Sequence, residues 1–270
     1  MKEEFHLDFL ADTHISLCDD RDPDLMEKAS QRYEGFRSPQ GDGADLTFQS
    51  LMNYIKTDSP DLLILGGDII DSAMYASIDF VKQQLEEANI PWLYSMGNHD
   101  FEYGSEYFSK TAYAEYLPRL KEISDTNSGF QIMEQEDFLI FAADDKNNQI
   151  SEETLNGLKE AMETGKPILL VMHVPIEPLT ESSLVKDSIE VWGASDSGNS
   201  RVLIGEHACT PRETTQEFLD LVLAKDSPVF LVLAGHIHFY HKDNLTENLT
   251  QIVTGAGYQK ELIRLTLKPE

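Results

Sequence analysis

Along the chain, short apolar runs alternate with longer amphipathic stretches. The runs cover 6–11, 61–66, 91–96, 138–143, 167–173 and 229–234. Val, Ile, Leu and Phe dominate them, and each closes at Gly, Asp or His. Runs of this length bounded by turn formers predict strands buried on both faces. Between them, 44–57, 74–88, 151–164 and 211–224 carry helical patterning. The last has a start signal: Thr210 as N-cap, Pro211 at the first helical position and Glu213 three residues after the cap. Ser151 opens another, with Glu152 and Glu153 where the helix dipole favours acids. The alternation predicts a layered α/β domain. After Ala234 the pattern changes: 250–254 and 261–267 are strand-like, joined by Gly255-Ala256-Gly257 with no helix between, which predicts antiparallel closing strands.

No repeat, low-complexity tract or linker divides the chain, so residues 1–270 read as one domain. Three long polar stretches remain, at 16–43, 100–128 and 176–209. The first and third lack clear periodicity. The middle one is aromatic-rich (Phe101, Tyr103, Tyr107, Phe108, Tyr113, Tyr116) and reads as partly helical. Loops of this length either serve function or pad the surface.

Composition narrows the partners. The 270 residues hold 21 Lys and Arg against 48 Asp and Glu, a formal charge of −27, with 41% hydrophobic residues. That apolar content excludes a disordered acidic tail. The charge disfavours nucleic acids, whose binding needs a cationic surface, and repels anionic membranes. Acids at Glu3, Glu4 and Asp8 interrupt any secretory signal, and the longest apolar runs fall far short of the ~20 residues that span a bilayer. Two cysteines, Cys18 and Cys209, make no disulfide framework and no CxxC pair, so a reducing, cytoplasmic setting is expected.

The informative residues stand at the strand ends: Asp12-Thr13-His14, Gly66-Gly67-Asp68, Gly97-Asn98-His99-Asp100, His173 and Gly235-His236-Ile237-His238. In an extended chain, residues two apart share a side, so Asp12 with His14, and His236 with His238, can share a ligand. Each fragment alone is ordinary turn or core chemistry. Together, five of eight histidines follow predicted strands beside Asp12, Asp68 and Asn98. Ligands of α/β sheets bind at strand carboxyl ends, and this donor set suits Mn, Fe, Zn, Co or Ni.

In this order the blocks resemble the signature of the calcineurin-like metallophosphoesterases, from residue 12 to 238. The resemblance implies a four-layer αββα sandwich of two mixed β-sheets flanked by helices. It implies two metal ions (Mn, Fe or Zn), one held by Asp12, His14 and His238, the other by Asn98, His173 and His236, with Asp68 bridging. His99 would face the substrate rather than ligate, and Asp100 would orient its ring. Two ions roughly 3.5–4 Å apart polarise phosphoryl oxygens and bring a shared water's pKa towards about 7, for in-line attack on phosphorus. His99 would then protonate the leaving oxygen.

Departures from the family pattern narrow the branch. The run Gly67-Asp68-Ile69-Ile70-Asp71-Ser72-Ala73 lacks the phosphate-gripping arginine of the protein Ser/Thr phosphatases. Asp71 stands where purple acid phosphatases place a tyrosine ligand. The acidity disfavours the DNA-cutting branch. A bacterial-type phosphodiesterase or phosphatase acting on a small phosphoester is the expectation. Nucleotide pyrophosphate hydrolysis and a non-catalytic metal-binding scaffold are the alternatives. Candidate phosphate-gripping cations are Arg21, Arg37 and Arg201. Trp192-Gly193 and 195–200 form a candidate lip, and the aromatics of 101–116 would either stack on a base or pack on the core.

Overall fold

The computed structural model describes residues 4–101, 110–124, 129–145, 147–192 and 210–268. Strands β1 (Phe5–Leu10), β2 (Leu62–Leu65), β3 (Trp92–Tyr94) and β10 (Ile263–Leu267) form one sheet in the order β10-β1-β2-β3. The second sheet runs β4-β5-β6-β7-β9-β8, from β4 (Phe130–Glu134), β5 (Leu139–Ala143), β6 (Ile168–Val171), β7 (Val229–Ala234), β8 (His241–Asn244) and β9 (Thr250–Val253). Within each sheet the central strands are parallel, β1 to β3 in one and β5, β6, β7 and β9 in the other, and the edge strands β10, β4 and β8 pair antiparallel.

Alternation along each strand explains the layers. Leu7, Phe9, Leu62 and Ile64 of the first sheet meet Ile140, Ala142, Leu169, Val171 and Leu233 of the second in one apolar core. Their neighbours Leu10, Leu63 and Leu65 point the other way, onto α2 (Ala44–Asp58) and α3 (Tyr75–Ala88). Leu139, Phe141, Leu170 and Val232 likewise pack on α5 (Glu152–Glu163) and α7 (Glu213–Val222). Both faces of the central strands are dry, so those strands read as unbroken apolar runs. The result is the αββα sandwich of two mixed sheets that the family resemblance implies.

Several boundaries differ, each for a tertiary reason. Helix α7 begins at Glu213 with Arg212 as N-cap, not at Thr210. The buried Gln149 side chain takes the Arg212 N–H (2.9 Å) and the Thr215 hydroxyl (2.7 Å) and donates to the Thr210 carbonyl (3.1 Å), which holds 210–212 outside the helix. The cap at Ser151 is as expected, its hydroxyl accepting from Thr154 N–H. The polar stretches contain α1 (Met26–Gly35), α4 (Lys110–Leu120) and α6 (Leu184–Trp192). The closing strands do not pair with each other: β9 lies parallel to β7 and antiparallel to β8, whereas β10 crosses to the first sheet beside β1. No helix among the described residues is long and apolar enough to cross a membrane.

Strand β10 is fastened to β1 by a cross-strand ion pair. Asp8, with a side chain 1% exposed, faces Arg264, which holds it through Nε (2.9 Å) and Nη2 (3.0 Å). Arg264→Met strands a buried carboxylate and is expected to cost on the order of 3 kcal/mol in urea unfolding. The double variant Asp8→Leu/Arg264→Met should regain most of that loss. Additive losses would show that the two side chains act independently.

Candidate metal centre

The parallel strands deliver their carboxyl ends to one place, where the backbone turns sharply. Asp12 (φ 55°), His14 (φ 50°), Asp68 (φ 52°), His236 (φ 73°) and His238 (φ 61°) all adopt left-handed conformations. The i, i+2 pairs therefore do not converge as an extended chain would bring them together. Asp12 and His14 converge because two left-handed residues flank Thr13, which points elsewhere, its hydroxyl donating to the Ile69 carbonyl (2.6 Å). The same turning sends His236 and His238 to different groups. Such conformations cost about 1–3 kcal/mol each and persist only where the surroundings hold them. Asp12 and His14 N–H groups bond to the Gly67 and Asp68 carbonyls (3.0 and 2.9 Å), and His236 N–H to Asp12 Oδ2 (2.8 Å). Gly67 (φ +90°) is tighter still: a Cβ there would lie 2.5 Å from His173 Nδ1 and 2.6 Å from Gly97 N.

Six of the proposed ligands fall into two groups. In the first, Asp12 Oδ1 lies 3.3 Å from His238 Nε2 and 4.0 Å from His14 Nε2, and the two imidazole nitrogens are 3.1 Å apart. In the second, Asp68 Oδ2 lies 3.2 Å from His173 Nε2, which is 3.2 Å from His236 Nδ1. The same Asp68 oxygen is 3.8 Å from His14 Nε2, so it faces both groups. Its other oxygen accepts the His99 N–H (2.7 Å). Asn98 sits between Gly97, against Asp68 and His173, and His99, with its Oδ1 buried and without a hydrogen-bond partner.

The donor set fits cations. Asp12 Oδ1 is likewise buried and without a hydrogen bond, an arrangement costly for an anion with no counter-charge. His173 Nδ1 lies 2.9 Å from the Gly66 carbonyl, to which it donates, so Nε2 faces Asp68 Oδ2. That contact calls for positive charge, either a proton on Nε2 or a cation beside it. Burial opposes a charge on His173, yet the pull of Asp68, its contact with that carboxylate, and Asp12 raise it to about 10. His14 is instead pushed down to about 4 by burial, against the pull of Asp71 and Asp68. Such a pocket demands positive charge and offers imidazole nitrogens to receive it.

Two carboxylates behind the ligands take unexpected parts. Asp100 does not orient the His99 ring. Its oxygens accept N–H groups of Asp68 (2.9 Å), Ile70 (3.0 Å) and Gly97 (2.7 Å) and the Tyr94 hydroxyl (2.7 Å), so it builds the turn beneath Asp68. Neighbouring residues point apart, and that geometry sends Asp100 inward while His99 faces out. Asp71 takes the ring instead, with Oδ1 2.9 Å from His99 Nδ1 and 3.5 Å from His14 Nδ1. Asp145 plays the matching role in the second sheet, accepting the N–H groups of His173 (3.0 Å) and Val174 (2.8 Å).

Two of the cations proposed from the sequence lie elsewhere. Arg21 pairs with Asp19 and Asp79, Arg37 pairs with Glu34, and Arg201 falls outside the described residues. Among the described residues, Arg32, on α1, is the arginine at the centre: it forks onto Asp71 and approaches His99 Nδ1 (3.2 Å). A sequence signal for α1 existed in Met26, Ala29, Tyr33 and Phe36 at helical spacing, within an otherwise polar stretch. Asp71, His14 and His99 also cluster, and the Arg32 guanidinium already supplies their positive charge. Trp192 sets its ring edge against His238 (5.0 Å), while residues 193–200 of the candidate lip lie outside the described residues. Of the middle aromatics, Phe101 and Tyr116 are buried in the first helical layer's core; Tyr103, Tyr107 and Phe108 fall outside the described residues.

The sequence model of the family described as calcineurin-like phosphoesterase matches residues 5–240, most of the chain. The chain belongs to the calcineurin-like phosphoesterase family. It is accordingly a metal-dependent phosphoric ester hydrolase. Two solved structures share its fold. One is a dimetal phosphatase from Danio rerio, 11% identical, with 94% of this chain covering 88% of that one at a TM-score of 0.55. The other is a purple acid phosphatase from yellow lupin (Lupinus luteus) seeds, 14% identical at a TM-score of 0.57; 94% of this chain covers 44% of that protein. No curated protein sequence matches the chain.

Asp68→Asn removes the charge that faces both groups. It is expected to weaken metal retention at both sites at least tenfold, a loss in the range seen even for partners behind the ligands. Elemental analysis after dialysis against graded chelator would check this, and full retention of two ions would contradict it.

Proposed function

We propose that this phosphoesterase hydrolyses a small phosphomonoester or phosphodiester at a centre of two transition-metal ions, such as Mn, Fe or Zn. Asp12, His14 and His238 would hold one ion, Asn98, His173 and His236 the other, and Asp68 would bridge. One observation carries the reading: a single Asp68 oxygen faces both imidazole groups, beside the buried, hydrogen-bond-free Asp12 Oδ1 and Asn98 Oδ1.

When bound, such ions supply Lewis-acid polarisation of a phosphoryl oxygen and activation of water at neutral pH. The chain's own part is to place and protonate. His99 is pinned by its backbone N–H on Asp68 and by its ring Nδ1 on Asp71, and would protonate the departing oxygen from Nε2. Its side chain is 21% exposed, open enough to meet substrate and enclosed enough to stay in register. Burial opposes its charge, but Asp68 and Asp71 raise its affinity for a proton, which suits a general acid.

The net charge of −27 favours a small substrate over a long polyanion, because only the local positive charge at the centre would attract phosphate. The same argument speaks against nucleic acid polymers as partners. A free Cys18 thiol agrees with a reducing, cytoplasmic setting.

The test is hydrolysis by the metal-reconstituted protein of aryl phosphates and aryl phosphodiesters of graded leaving group, alongside cyclic nucleotides and dinucleotides. Chelation should abolish turnover and added metal restore it. His99→Ala should keep both ions and lower turnover by about 10²–10⁴, most for poor leaving groups, the usual worth of general acid catalysis. Equal losses across the series would mean that His99 positions phosphate rather than protonating its product.

A further inference from the structure

Helix α1 occupies the excursion that leaves the centre after His14 and returns through α2, and it buries only Ala29. Its stability therefore owes little to a core of its own. Its C-terminal end is tied to the centre by two side chains four residues apart, Arg32 and Phe36. The Phe36 ring lies flat on the His14 imidazole, with centroids 3.9 Å apart and planes 3° apart. Arg32 Cζ lies 4.6 Å from the centroid of the same phenyl ring. Guanidinium and imidazole, each against that phenyl, both reach the same carboxylate, Asp71.

That carboxylate divides its oxygens. Oδ2 is bound by Arg32 Nε, and Oδ1 serves Arg32 Nη2 (2.9 Å), His99 Nδ1 (2.9 Å) and His14 Nδ1 (3.5 Å). A carboxylate on a short side chain can rotate about its last bond. With a planar guanidinium spanning both oxygens it cannot rotate without breaking two charge-assisted hydrogen bonds. The fork therefore decides which oxygen His99 meets and where. An ammonium group is a point donor and would not impose the plane. Arg32 Nη2 also stands 3.2 Å from His99 Nδ1, which limits the ring's tilt from the second side.

We propose that Arg32 is a positioning residue for His99, acting through Asp71; this rests on the phosphoesterase reading for its kinetic consequence and on geometry alone for the placement. Its work is to hold the imidazole in register with the departing oxygen. A displacement of about 1 Å at a reacting group costs about 10²-fold in rate, so loss of the fork should appear in kcat.

The experiment compares wild type, Arg32→Met, Arg32→Lys, His99→Ala and Arg32→Met/His99→Ala, each loaded with zinc and checked for two ions per chain. Arg32→Met is expected to lower kcat about 10–100-fold for a poor leaving group, a misplacement-sized effect, with KM and inhibition by inorganic phosphate moving less than about threefold. Arg32→Lys keeps the charge and should rescue little. In the His99→Ala background, Arg32→Met should add almost nothing, because its route runs through the missing ring. Losses that multiply in the double variant would overturn the proposal, as would a rise in KM and in the phosphate inhibition constant at constant kcat, which would make Arg32 a substrate contact.

A readout independent of turnover completes the test. Long-range proton–nitrogen spectra of zinc-loaded protein should show the His99 ring signals shifted or broadened by Arg32→Met and by Arg32→Lys. Unchanged signals would overturn the placement. If wild type loads two ions yet hydrolyses nothing in the panel, the phosphoesterase reading fails while the spectra still decide the position of the ring.

Discussion

The Asp68 carboxylate is the point at which the two sheets become one site. It follows the left-handed Gly67 at the end of β2 and is itself left-handed, which turns its side chain across the seam between the sheets. One oxygen fixes the backbone of His99, and the other faces His14 from the first sheet and His173 from the second. Its own N–H is held from beneath by Asp100. A buried anion in this position is tolerable only among positive partners. The surrounding imidazoles follow from that requirement.

The rest of the architecture keeps this point still. Five of the proposed ligand residues adopt left-handed backbone conformations, each disfavoured for a residue with a side chain. Hydrogen bonds running between sheets compensate for them, including His236 N–H to Asp12 and the contact of His173 Nδ1 with the Gly66 carbonyl. These bonds are short because the central strands are parallel and packed on both faces, so their ends move as a unit. Rigidity at the strand ends lets a loosely packed helix such as α1 contribute side chains to the centre without contributing much core.

The strands were legible because burial on both faces writes a continuous apolar run, and the candidate ligands because turn residues at strand ends stand out against it. What sequence could not reveal depends on tertiary contact. Strand β8, His-Lys-Asp-Asn, has no apolar residue and exists by pairing with β9. Strand β4 is half exposed and reads as loop. Proximity in sequence favoured Asp100 as the partner of His99, whereas the ring is held by Asp71, twenty-eight positions away. Arg32 was invisible as a site residue because its partner lies 39 positions on, across a polar stretch. The spacing of Asp12 with His14 is visible in the sequence, and its physical basis is left-handed turning, not extension.

The central claim is that Asp68 joins two cation sites. Anomalous diffraction from crystals grown with manganese measures it most directly. Two anomalous peaks are expected, one on either side of the Asp68 carboxylate. One would lie within ligand distance of Asp12, His14 and His238, the other of Asn98, His173 and His236. A single peak, or two peaks of which only one contacts Asp68, would contradict it.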